Sequence, residues 1–226
     1  MKTKKITAVL LLIGAFAKGQ DCKNYYYFSE NTSIESKTVL TDGTFKEREV
    51  AKPTEVVVKG NEISSVYSST KYDKNGKAGE PQIAKIKCDG SGLRISFQMP
   101  MMDEGVQPQE QFLFYPAAMK AGQQLESKVE FAINGKVKGK KMNVTFKIKD
   151  RKVVGPEKIN TPMGMKDCMK IRFDMDVRFK IIGIGIPMKL EIHEWFAPGF
   201  GVVKTEAYKD GKLMETTTIT VTKNKK

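Results

Sequence analysis

One histidine and one tryptophan stand in 226 residues, and acidic side chains trail basic ones by 26 to 39. A Ser-His-Asp arrangement or a histidine-rich metal site would have to be built on His193 alone, so most catalytic schemes fall away. Cysteine is scarce as well. Cys22, Cys88 and Cys168 lie 66 and 80 residues apart, which matches no zinc-site spacing, and their odd number allows one bridge and one leftover thiol. Long hydrophobic runs are also missing. The one extended apolar segment, Ile6 to Ala17, is about a dozen residues, whereas a membrane-spanning helix needs about 20. These shortages leave no catalytic residues, no metal and no cofactor to expect.

What the N-terminus does contain is a secretory pattern. Lys2, Lys4 and Lys5 precede the apolar run, and the small residues Ala15, Ala17 and Gly19 follow or close it. Cleavage after Ala17 or after Gly19 fits, and the second leaves Gln20 at the new terminus. Residues 1–19 are therefore expected to be a signal peptide and residues 20–226 a single exported β domain, periplasmic or secreted and soluble. A lipoprotein would need Cys22 directly after a small residue, but Gln20 and Asp21 stand before it. The formal charge of +13 falls to +9 once the four lysines of residues 1–19 leave. That surplus attracts anions, although lysine spread over a solvated exterior is the simpler reading.

Turn dipeptides punctuate the rest: Asp42-Gly43, Asn75-Gly76, Asp89-Gly90, Asn134-Gly135 and Asp210-Gly211. Each supplies the two positive-φ positions of a tight hairpin. Between them the apolar period is two. From Met169 to Ile181, odd positions are apolar and even positions charged, and Met142, Val144, Phe146 and Ile148 alternate with Asn143, Thr145 and Lys147. Hairpins are expected at 125–148 and from 169–181 to 188–196. Further strands are expected at 34–40, 44–50, 55–59, 63–72, 83–88 and 93–97. Residues 98–111, with Met99, Met101, Met102 and Pro108, break every period and form an irregular stretch. The fold class is all-β: a curved antiparallel sheet, an open barrel or a two-sheet architecture built from hairpins.

A few side chains stand out against this pattern. Met188, Leu190 and Ile192 define an apolar face on which parity also places Glu194. A core-facing carboxylate must be paired or protonated. Either a bulge before Trp195 moves Glu194 to the rim and turns the tryptophan inward, or Glu194 is a ligand-directed acid at a cavity mouth. His193 falls on the polar face as a solvated histidine. Asp174 and Asp176 share a face with Arg172 and Arg178, which suits charge pairing better than acid-base work. Methionine is frequent and pliable, and with Phe146, Phe173 and Met175 it could line an apolar pocket. No cysteine or histidine stands near Met99, Met101 and Met102 to complete a copper set. Cys168 falls by parity on the charged face of its strand, which points to a Cys22–Cys168 bridge and leaves Cys88 as a buried thiol. Tyr25, Tyr26, Tyr27 and Phe28 lack interleaved arginines, so no nucleic-acid platform is expected.

Several pieces of the C-terminal half occur together: Phe112-Leu113-Phe114-Tyr115-Pro116 followed by Gly122-Gln123, Asp150-Arg151-Lys152-Val153, Thr161-Pro162-Met163-Gly164 before Cys168-Met169-Lys170-Ile171, and Glu194-Trp195-Phe196-Ala197-Pro198-Gly199 before Gly201-Val202-Val203-Lys204-Thr205-Glu206. In order and spacing the chain resembles the TapB-like family of exported Gram-negative envelope proteins, related to a domain of unknown function. The resemblance implies a curved sheet or open barrel in the periplasm and brings no catalytic residues. Thr161-Pro162-Met163-Gly164-Met165 departs from the family's Thr-Pro-Ala-Gly-Thr-Phe form, at a turn. The leading expectation is a non-catalytic binder of an apolar or lipid-like ligand, with Glu194, Trp195, Met175, Phe173 and Phe146 as its site residues. A scaffold or assembly partner binding an envelope protein through a sheet edge is the second expectation, and a hydrolase the third.

Overall fold

A computed structural model describes residues 21–96, 99–100, 111–127, 129–137, 140–181 and 184–223. The expected signal peptide and most of the irregular 98–111 stretch, including Met101 and Met102, lie outside the described residues. Thirteen strands are described: β1 Thr32–Leu40, β2 Phe45–Lys59, β3 Glu62–Asp73, β4 Gln82–Cys88, β5 Gly92–Ser96, β6 Met99–Pro100, β7 Phe112–Pro116, β8 Val129–Val137, β9 Lys140–Thr161, β10 Gly164–Ile181, β11 Ile184–Ala197, β12 Gly201–Lys209 and β13 Lys212–Lys223. All belong to one antiparallel sheet in the order β7-β5-β4-β3-β2-β1-β13-β12-β11-β10-β9-β8, with β6 beside β4. The sheet curls until it is nearly closed into a barrel. The all-β, hairpin-built expectation holds, and one sheet rather than two does the enclosing. Among the described residues no helix is long and apolar enough to cross a membrane.

The turns follow the dipeptides with one exception. Asp210 and Gly211 both take positive φ, at 51° and 73°, as a type I′ turn requires, whereas at Asp42-Gly43, Asn75-Gly76 and Asp89-Gly90 only the glycine does, so those turns are not of that type. Asn134 and Gly135, expected to turn, instead lie within β8 opposite Asn143 and Gly135's partner Met142, so that hairpin runs further before reversing. Cross-strand register from Val129↔Ile148 onward outweighs the local turn preference there. The two strands expected at 44–50 and 55–59 are one strand, β2, whose register shifts between Pro53 and Glu55. Proline cannot donate to the ladder, and a bulge is where a sheet tolerates it.

Ahead of β1, two single-turn helices, Cys22–Asn24 and Tyr26–Phe28, carry the aromatic cluster into the barrel. Tyr25, Tyr26, Tyr27 and Phe28 are all buried in the main core with Tyr67, Tyr115, Phe196 and Leu93. The Tyr26 hydroxyl donates to the Val202 carbonyl at 2.9 Å and lies 2.8 Å from the Tyr27 hydroxyl, and the Tyr67 hydroxyl donates to the Tyr26 carbonyl at 3.1 Å. Gly201, at φ 126°, leaves room for these rings: a Cβ there would sit 2.7 Å from Tyr26 and 2.8 Å from Tyr27. The interior that a curved sheet would otherwise leave open is thus filled at this end by the chain's own tyrosines.

This plug also decides the disulfide. Cys22 bonds to Cys88, not to Cys168 as expected, with their Cα atoms 5.7 Å apart. Cys88 ends β4 with its side chain inside, at the place where the plug enters. Cys168 is the free, buried thiol on the opposite face of the sheet, packed beside Trp195, Ala197 and Val203. Burial pushes its thiol up to about 11. The backbone of β10 separates it from the interior that Cys22 has entered, and a bond through that wall is sterically impossible.

Candidate functional site

Strand β9 changes face partway along. Lys149 pairs with Asp174 and Lys152 with Arg172, so Asp150 and Arg151 together oppose Phe173. Two residues against one is a β-bulge, and Asp150 accommodates it at φ 51°. Before the bulge Val144 and Ile148 are buried; after it Arg151 and Val153 are, both at 0% exposure. A guanidinium is thereby carried into the core in the middle of a Lys-Asp-Arg-Lys string.

The surroundings of Arg151 are aromatic. Its Nη1 donates to the Phe114 carbonyl at 2.5 Å, and the guanidinium lies over the Tyr115 ring, 4.3 Å from its centroid. The Tyr115 ring stacks on Phe196 at 4.7 Å and 14°, and its hydroxyl donates to Glu194 Oε2 at 2.9 Å. Glu194, 8% exposed, does face the core, as strict parity predicts. The bulge beside Trp195 falls after that residue, in the pairing with β12, so it never displaces Glu194. Burial pushes the Glu194 carboxyl above the ordinary value, with the Arg151 charge and the Tyr115 hydrogen bond acting against it. Burial, and then the Glu194 charge, push the Tyr115 phenol well above the usual range. Among the described residues Arg151 Nε and Nη2 have no hydrogen-bond partner, and the Glu194 carboxylate accepts from Tyr115 instead.

A folded-state pKa above the unfolded one means that the native protein binds the extra proton. The Glu194 contribution to stability is therefore full below the ordinary value of 4.5 and declines as pH rises through the folded value. Urea unfolding of the Glu194→Gln variant against the parent should show a relative gain for the variant that grows from pH 4.5 to pH 8. A gap that stays constant with pH would mean that Glu194 titrates normally.

Beyond Arg151 the inner face is an apolar ladder. Ile148, Met175 and Leu190 form one row across β9, β10 and β11; Phe146, Val177 and Met188 the next; Val144, Phe179 and Ile186 a third. Val129 of β8 extends the first row. Val129, Val144, Ile148 and Val177 are buried, Phe146, Met175, Phe179, Met188 and Leu190 are half-buried, and Ile186 is 56% exposed. The outer face is charged: Lys149 pairs with Asp176, and Arg172 bonds Asp174 at 3.2 Å and Glu191 at 2.5 Å. Asp174 and Asp176 are thus neutralised as expected. His193 is less solvated than its parity suggests, half-buried with Nε2 2.8 Å from Glu191 Oε1. Among the described residues no cluster of acids, cysteines or histidine could hold a metal.

Trp195 separates from the other expected site residues. It lies on the outer face, 3% exposed, with the ammonium groups of Lys170 and Lys204 4.7 and 4.4 Å from its ring. Phe173 is buried in the main core, and Met175 packs against it. Phe146, Phe173 and Met175 share the inner face with Glu194 but form one wall, and none of the described clefts is enclosed by them. A cleft of about 360 Å³ does open where β8 parts from β9, lined by Ser127, Val129, Glu130, Lys147, Ile148, Lys149 and Asp150. On its far side, residues 122–125 replace β8 as the neighbour of β9, with Leu125 N–H donating to the Arg151 carbonyl at 2.8 Å and Val153 N–H to the Gln123 carbonyl at 2.9 Å. Arg151 was missed in the sequence because a charged string offers no apolar parity, and only the bulge reveals its direction.

The family profile described as DUF3108-like matches residues 30–219. The chain belongs to the DUF3108-like family. The match runs from β1 into β13 and takes in both Arg151 and Glu194 while leaving the tyrosine plug ahead of it. A protein from Bacteroides fragilis, described as exported and as having a YmcC-like fold, is similar in structure at a TM-score of 0.69 and 18% identity, over 88% of this chain and 99% of that one. A protein from Parabacteroides distasonis described as a lipoprotein is similar at a TM-score of 0.68 and 19% identity, over 88% of this chain and 98% of that one. At these identities the likeness concerns the fold. A comparison with curated proteins finds no match.

Proposed function

We propose that this is an exported envelope protein, residues 20–226 forming one soluble domain after cleavage of the signal peptide, which binds an apolar or lipid-like ligand without catalysis. The observation that carries this is the ladder on β9, β10 and β11, where half-buried Phe146, Met175, Phe179, Met188 and Leu190 share one face while the reverse face is charged. A face of that kind loses free energy in water at roughly 25 cal/mol per Å² of exposed apolar area, and a ligand that covers it recovers this. Kinship with the TapB-like group, and hence a Gram-negative periplasm, belongs to the same reading, as do the descriptions of the two structural relatives as exported protein and lipoprotein.

Native mass spectrometry of residues 20–226, purified from a periplasm, tests it: mass that disappears on denaturation and extracts as lipid is the expected result, and a bare polypeptide mass counts against it. The paired variant Phe179→Thr with Met188→Thr should weaken binding of a fluorescent long-chain fatty acid by about thirtyfold, from about 1 kcal/mol of lost contact per half-buried side chain. Unchanged affinity in a folded variant would move the site elsewhere. Trp195 faces the other way, so its own emission should stay unaltered on binding.

The edge of the sheet supports a second reading. β8 pairs with β9 and, among the described residues, has no strand on its other side, which would suit strand addition by a protein partner. Cross-linking from residues 129–137 to an envelope protein would favour that reading over the lipid one.

A further inference from the structure

We infer that the ligand of the apolar face is an anionic amphiphile with one long acyl chain, and that Arg151 binds its headgroup; this rests on the reading of that face as a ligand site. The guanidinium lies at one end of the ladder. Along β9 the inward residues run Arg151, Ile148, Phe146, Val144, and the span between the first and last is about 20 Å at strand rise. A molecule laid along that line meets a charge first and then three rows of hydrocarbon.

The charge is poised for an acceptor. Arg151 is 0% exposed, and of its donors Nη1 is taken by the Phe114 carbonyl while Nε and Nη2 lack a partner among the described residues. Leaving buried charged donors unmade costs more than any ordinary hydrogen bond supplies. Glu194 does not fill them: it accepts instead from Tyr115. Nε and Nη2 are adjacent on the guanidinium fork, the pair of donors that grips a carboxylate or phosphate in bidentate fashion. The Tyr115 ring lies beneath the guanidinium, its centroid 4.3 Å from Cζ. The nearest described opening is the 360 Å³ cleft where β8 leaves β9, lined by Val129 and Ile148 of the ladder and by Asp150, the residue before Arg151, with Arg151 itself buried behind that lining.

The test compares ligands that differ only at the headgroup. Delipidated residues 20–226 are titrated with palmitate, with its uncharged methyl ester, and with a long-chain lysophosphatidate, in the parent and in Arg151→Met and Arg151→Lys. The parent should bind at least one of the two anions ten or more times tighter than the ester, with carboxylate or phosphate identified by which one gains. Arg151→Met should bind anions and ester alike, at the ester's affinity, and Arg151→Lys should recover part of the difference. Retained ester binding shows that the variant and its apolar face are intact; if Arg151→Met does not fold, Arg151→Lys decides, by a gap between anion and ester that narrows from the parent's or stays the same. Equal affinity of acid, phosphate and ester in the parent overturns the role of Arg151 and leaves the apolar site standing, as does a gap that survives Arg151→Met. Binding of none of the three overturns the lipid reading itself.

Discussion

Reducing the Cys22–Cys88 disulfide, or replacing both cysteines by serine, is expected to lower the unfolding free energy by about 4 kcal/mol. The bond closes a loop of 66 residues in the unfolded chain, and the chain-entropy relation gives about 4 kcal/mol for a loop of that size. A structural consequence adds to this. Cys22 tethers the segment that inserts Tyr25 to Phe28 into the core, and that segment is held by a backbone bond from Tyr26 N–H to the Phe200 carbonyl, in the turn between β11 and β12, at 3.3 Å. Without the tether the plug should open before the sheet does. Urea unfolding with and without reductant measures the first effect, and faster amide exchange at residues 24–28 than in β10 the second. A loss below about 1 kcal/mol would mean that the tyrosine contacts hold the plug unaided.

Gly92→Ala is expected to cost about 4 kcal/mol, far more than a glycine in an ordinary turn. A Cβ at Gly92 would lie 2.3 Å from the Tyr115 carbonyl oxygen and 2.9 Å from the Pro116 Cα, both backbone atoms that cannot swing aside. Its φ of 157° adds strain for any L side chain. Overpacking of 1–3 kcal/mol and a backbone penalty of similar size combine to the stated figure, roughly. Because β5 pairs with β7 through Gly92↔Pro116, the strand that must shift is the one carrying Phe114 and Tyr115 to Arg151 and Glu194. The control is Gly90→Ala, at φ 79° with nothing within 4 Å of its Cβ, which should lose about 1 kcal/mol from backbone strain alone. Equal losses at the two sites, in thermal or urea unfolding, would show that β7 yields to the intruding methyl.

The long C-terminal hairpins could be read in advance because their amphipathic alternation is unbroken. Met169 to Ile181 alternates without a fault, and β10 pairs with β11 residue for residue from Met169↔Phe196 to Ile181↔Ile184. Glu194 obeyed the same rule, and the reluctance to place a carboxylate inside was the misleading consideration: Tyr115, 79 residues away in sequence, supplies its partner. The disulfide could not be read from parity, because the relevant fact is which side of the sheet the plug enters.

By itself the amino-acid sequence determined an antiparallel β protein, the strands of its C-terminal half and the apolar side of each, since period-two patterning and Asx-Gly turns are local properties of the chain. Tertiary structure alone decided that Arg151 faces inward, that Tyr115 meets Glu194, and that Cys22 meets Cys88. Each of these depends on where a bulge shifts the register or where distant segments meet in the closed sheet, and a bulge of one residue reverses every face beyond it.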